Sequence, residues 1–244
     1  MEDFDKEHFE FLMSNGVDSH NQNQYEQALY YSSKAYDMAP DASNEKGRAA
    51  RDSSARYDRL GNLEKAEHYA DEAFEIHDTI VKDMGDEPSR EALRERSVTA
   101  MYVGVSGLRK VIEARLNQET VNEQQQSLDM MRLTWSDLKI ANKQASGVNR
   151  YVDQYQINAS RRVSIAESIV GDKKQGLKIG LGAVALAFLS ESPHIDTSNP
   201  NKKTLGRLKA KTKALGGALL ALSISSLVYS KRSEVALKLA NKAL

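Results

Sequence analysis

Asn23-Gln24-Tyr25-Glu26-Gln27-Ala28-Leu29-Tyr30-Tyr31-Ser32-Ser33-Lys34-Ala35-Tyr36-Asp37-Met38-Ala39-Pro40 is the stretch on which the reading of this chain turns. It returns as Gly61-Asn62-Leu63-Glu64-Lys65-Ala66-Glu67-His68-Tyr69-Ala70-Asp71-Glu72-Ala73-Phe74-Glu75-Ile76, 38 residues further on. Ala28 and Ala35 align with Ala66 and Ala73, and Tyr25 with Leu63. Alanines seven residues apart lie two helical turns apart and share a face. Small side chains there let a neighbouring helix come close. Leu29, Tyr36 and Met38, and in the second copy Phe74 and Ile76, complete an apolar stripe.

Each of these helices needs a partner to cover its stripe. The partners are expected at about 4–20, ending near Gly16–His20, and at about 43–60, ending at Leu60-Gly61. Pro40-Asp41 stops the first pair, Ser43-Asn44 supplies an N-cap signal for the next helix, and Asn62 follows Gly61 as a further helix start.

These residues resemble the tetratricopeptide repeat family. In the first repeat Leu12, Gly16, Tyr25, Ala28, Ala35 and Pro40 fall at that family's spacings; in the second, Tyr57, Gly61, Leu63, Ala66, Ala73 and Phe74 do. Asn15 stands where a large apolar residue is usual, Ser54 holds the small-residue site, and the period is 38 rather than about 34. The resemblance spans roughly residues 9–80. It implies an all-α chain of antiparallel helix pairs stacked as a right-handed solenoid, whose concave groove is lined by the first helix of each pair. It also implies a non-enzymatic scaffold or adaptor that binds a protein or acidic peptide.

The remainder reads as helix too. Pro88-Ser89 opens a run at about 89–116, followed by helices at about 123–145 and 149–169. An apolar helix runs through Leu189, a loop at 191–201 holds Pro193 and Pro200, and a helix covers about 202–229. A last helix carries Ala236 and Ala243. The expected organisation is one helical-repeat domain over 1–244 with about ten helices. It comprises two repeat pairs in 1–84, long degenerate helices in 88–170 and a basic region in 171–244.

Composition agrees with this reading. Apolar residues at 40% and charged residues at 28% exclude wholesale disorder, and four prolines with fourteen glycines leave little material for a turn-rich β fold. Cysteine is absent, which excludes disulfides, thiolate catalysis and Cys-ligated zinc. The acidic start Met1-Glu2-Asp3-Phe4-Asp5 has no secretory pattern, so a cytoplasmic location is expected. The zero net charge conceals an asymmetry: residues 1–100 hold 12 Lys+Arg against 23 Asp+Glu, and residues 171–244 hold 13 against 4. Solvated helix faces explain this, as does self-association of acidic front with basic rear.

The expected partner-binding residues lie on the first helices at three-to-four spacing. They are Met13 and Val17 in the first repeat, Arg48, Arg51 and Arg59 in the second, and Arg94 in the third. The arginines would offer forks to a carboxylate. They would equally balance the acidic residues around them. The carboxylate-clamp pattern of chaperone-binding family members wants Lys and Asn where Met13, Val17 and Asp52 stand, so chaperone-tail binding is not expected. No phosphate loop, nucleophile elbow or dinucleotide fingerprint occurs, and no catalytic residue, metal or cofactor is expected. His68 with Glu64 and Glu72 makes at most a two-ligand face.

The rear cluster Lys202, Lys203, Arg207, Lys209, Lys211 and Lys213 suits phosphates, but Tyr229 alone supplies an aromatic after residue 195, so nucleic-acid reading is not expected. The alternative function is a membrane-associated repeat protein with a short apolar hairpin at 177–190 and 214–229. Both runs fall short of the roughly 20 residues that a span needs.

Overall fold

The computed structural model describes residues 4–118, 124–145, 154–189, 200–230 and 232–244. They form ten α-helices and, among the described residues, no strand. The helices are α1 (Lys6–Asn21), α2 (Tyr25–Met38), α3 (Asn44–Arg59), α4 (Leu63–Asp83), α5 (Arg90–Leu116), α6 (Gln124–Ala145), α7 (Gln154–Ile169), α8 (Lys173–Leu189), α9 (Pro200–Tyr229) and α10 (Ser233–Ala243). Most of the expected loop at 191–201 lies outside the described residues, and α9 starts at Pro200, a residue well suited to a first helical turn. The chain divides into two compact units, Met1–Ser106 and Gly107–Leu244.

In the first unit the 38-residue register is visible in the backbone itself. Asp5 and Ser43 are both N-caps, accepting from the amides of His8 (2.9 Å) and Lys46 (3.0 Å). Asn23 (φ 62°) and Gly61 (φ 76°) occupy the same left-handed turn position, where glycine and asparagine are least strained. Ser54, on α3, donates its hydroxyl to the Ala66 carbonyl on α4 at 2.6 Å. At the matching place, a Cβ on Gly16 of α1 would lie 3.5 Å from the Ala28 carbonyl of α2. A small residue is needed at both sites because the next helix's backbone passes there.

Phe9, Leu12 and Met13 of α1, Ala35 and Ala39 at the end of α2, and Ala49 of α3 form one core cluster. α4 outruns α2 by two turns, so the third N-cap, Ser89, falls 46 residues after Ser43. With that offset the small site recurs as the buried Ala100.

The second unit packs α7, α8 and α9 against one another through small residues. Ile157, Ala183, Ala187 and Ala218 form its described apolar cluster. Ser164 donates to the Gly176 carbonyl at 2.8 Å and lies 2.9 Å from the Ser225 hydroxyl, both buried. Gly176 leaves room for this: a Cβ there would stand 2.8 Å from the Ser168 amide nitrogen and 2.9 Å from the Ser164 carbonyl. In α10 the buried residues are Ala236, Leu237 and Ala240, while Ala243 is half-buried.

Candidate functional site

The first helices of the first unit touch each other through charge. Glu10 of α1 accepts two bonds from Arg48 of α3, at 2.7 and 3.2 Å. The two residues are equivalent positions of adjacent repeats. The bonds from Arg48 hold the Glu10 carboxyl below the usual range, and the Glu10 carboxylate in turn raises Arg48. Arg51 lies between Asp52, at 3.2 Å, and Glu95 of α5. Burial works against its charge, but the Asp52 and Glu95 carboxylates outweigh that and hold it firmly ionised. Asp52 is shared with the buried Arg56, at 3.0 Å.

The expected binding residues therefore fall into different settings. Arg59 is exposed, and Val17 is 46% exposed. Arg48 is partly exposed and paired, and Arg94 is half-buried with an interaction of its own. Arg51 is committed to carboxylates of its own chain. Met13 is 5% exposed and belongs to the core, so its side chain offers no surface to a partner. The buried stripe of α1 is Phe9, Leu12, Met13, Gly16 and Ser19, which places Met13 one helical step inside the face that carries Glu10 and Val17. Of the rear lysine cluster, only the side chain of Lys213 lies within the described residues, and it is exposed.

Two features escaped sequence reasoning. His77 is 1% exposed, and its ring lies against Gly47, where a Cβ would come within 2.7 Å of the imidazole. Neither ring nitrogen has a partner within hydrogen-bond geometry, although the Asn44 and Ala73 backbone leans toward them. Burial pushes His77 down to about 4; Glu95 opposes this and Arg51 reinforces it. The 38-residue offset was the available signal. It pairs Phe9 with Gly47 and Ala39 with His77, so the ring that α1 supplies in the first repeat is supplied by α4 in the second.

The second feature is a tyrosine ladder. Tyr36 meets Tyr69 edge-on at 5.4 Å, and Tyr57 stacks on Tyr69 at 5.5 Å. Lys46 sits 3.8 Å over the Tyr36 ring, and the Tyr36 hydroxyl donates to Glu72. Burial, then the bond to Glu72, raises the Tyr36 phenol above its ordinary value. Glu72 is thus engaged, and among the described residues no group of three or more His, Asp or Glu is placed to hold a metal ion.

In the second unit Arg132 of α6 reaches the buried Glu167 of α7 through two bonds, 2.8 and 3.1 Å. The Asp172 amide also donates to Glu167, at 3.2 Å.

No protein-family model matches this chain, and no curated protein matches it. The class the fold defines is an all-α protein of short and long helices, about a third of it carrying an internal 38-residue register.

Proposed function

We propose that the first unit is a helical-repeat interaction module. Its helices pair antiparallel and stack as a solenoid, and the α1/α3/α5 face receives a protein or peptide. The observation that carries this reading is the pattern of contacts between alternate helices. Glu10–Arg48 joins α1 to α3, Arg51–Glu95 joins α3 to α5, and Tyr36 joins α2 to Tyr69 and Glu72 of α4. Two layers, each made of every second helix, are what a tetratricopeptide-like stack requires. Gly16 meeting the first turn of α2 while Phe9 clusters with Ala39 beyond its last turn supports the antiparallel pairing.

Such a face binds by prior order. Arg48 and Arg51 are already held by carboxylates, so little of their side-chain entropy is lost on docking. An acidic peptide would compete with Glu10 for the Arg48 fork, and Val17 and Arg59 would add apolar and cationic contact at the exposed edge. This is a scaffold rather than an enzyme, acting in the cytoplasm without a cofactor. The test uses Val17→Asp with Arg59→Glu, exposed sites whose exchange leaves the core intact. Affinity capture from native extract should lose a partner that the wild-type chain retains, with the thermal midpoint unchanged. Identical capture by both chains refutes the assignment of this face.

A further inference from the structure

The second unit contains a guanidinium with no carboxylate partner among the described residues. Arg161 of α7 lies across Gly217 of α9, where a Cβ would come 3.2 Å from its Cδ and 3.3 Å from its Cζ. Its Nε is buried and has no hydrogen-bond partner, and no carboxylate is paired with it among the described residues. Burial alone lowers its pKa. Desolvating a cation without an anion is costly, and the surrounding sequence makes it more so: residues 171–244 carry 13 Lys+Arg against 4 Asp+Glu.

Arg161 also lies at a boundary. In α9, Ala218, Ala221, Ile224, Ser225 and Val228 are buried, and Lys213, Gly216, Leu219, Leu220, Ser223 and Ser226 are exposed. At 100° per residue the exposed set forms one arc, and Gly217 falls about 40° past Lys213, where that arc gives way to the buried side. Leu219 is 46% and Leu220 37% exposed. Thr212–Tyr229 is long and apolar enough to cross a membrane by length and composition, and packing within the unit leaves its Leu219, Leu220 and Tyr229 open.

We propose that this face of α9 docks on the surface of an anionic lipid bilayer. Leu219 and Leu220 enter the acyl boundary, and Arg161 and Lys213 take headgroup phosphate at the edge of the arc. The opposite side of α9 is occupied by α7 and α8, so the helix lies in the interface instead of crossing it. Charge complementarity selects anionic lipid: each cation near such a surface contributes about 1 kcal/mol.

Flotation of the full chain with vesicles tests this. Binding is expected to phosphatidylcholine vesicles containing phosphatidylserine and not to phosphatidylcholine alone. Leu219→Ser with Leu220→Ser should weaken it about tenfold or more. Arg161→Gln and, separately, the exposed Lys213→Gln should each weaken it about fivefold. Helix content by circular dichroism accompanies each variant, and Lys213→Gln carries the electrostatic test if Arg161→Gln loses structure. Three results overturn the proposal. One is no binding to either vesicle, and another is binding indifferent to the leucine pair. The third is salt-labile self-association of the chain, with its acidic front in place of the lipid.

Discussion

His77 offers a quantitative test of the first unit's packing. Its imidazole is buried against Gly47 near the backbone at Asn44 and Ala73, and burial pushes it down to about 4 from an ordinary 6.5, with Glu95 opposing and Arg51 reinforcing the shift. A depressed histidine is neutral in the folded chain and takes up its proton in the unfolded chain first. Between pH 6.5 and 4 the unfolded state therefore binds more protons, so stability falls as pH falls and levels off below about 4. At 1.36 kcal/mol per pH unit the full loss is roughly 3 kcal/mol, of which about 2 kcal/mol accrues between pH 7 and 5. Carboxylates titrate over part of the same range, so the informative quantity is the difference between wild type and His77→Leu. Urea unfolding followed by far-ultraviolet circular dichroism across that range gives it. The variant should gain about 2 kcal/mol on the wild type as pH drops from 7 to 5, and the His77 Hε1 resonance should stay fixed over the same interval. A constant difference, or a resonance moving with a midpoint near 6.5, refutes the enclosed neutral imidazole.

Other consequences are independent of that titration. Gly47→Ala should destabilise by about 1–3 kcal/mol by forcing a Cβ against the His77 ring, and adding His77→Ala should recover most of the loss in the same urea assay. Arg132→Met leaves the buried Glu167 carboxylate with the Asp172 amide and should cost about 2 kcal/mol, whereas simultaneous Glu167→Leu should restore it. Gly176→Ala meets backbone atoms of Ser168 and Ser164 that no rotamer can vacate, and a drop in thermal midpoint of several degrees is expected. In contrast, removing the half-exposed Glu10 by Glu10→Gln should cost under about 1 kcal/mol, less still in high salt.

The alanine spacing and the cap residues were enough to place the helices, because both are local signals: a periodicity of small side chains and a hydroxyl or carboxylate at a turn. Ser43 and Asn62 cap where expected. The placement of the face was less legible. Met13 and Val17 are four apart on α1, yet one is core and the other open, since a helix buries an arc whose edge depends on how its neighbours approach. The fate of Arg51 is similarly nonlocal, for Glu95 arrives from 44 residues away. Glu10–Arg48 was within reach, because equivalent positions in adjacent repeats held opposite charges. Arg161 had no sequence signal, since its burial without a carboxylate partner among the described residues depends on how α7 and α9 meet.

The exchange of bulk between Phe9/Ala39 and Gly47/His77 bears on how the chain finds its fold. Repeats with the same alanine pattern invite mistaken partnerships during folding, α1 with α4 or α3 with α2. The first error would press the Phe9 ring onto the His77 ring. The second would set Gly47 against Ala39 and leave an unfilled hole. Only the native partnerships match a ring with a small residue, so the swap acts as a key that tells apart two helix pairs of the same alanine pattern. A consensus design that made the two repeats uniform would erase that key while keeping every helix.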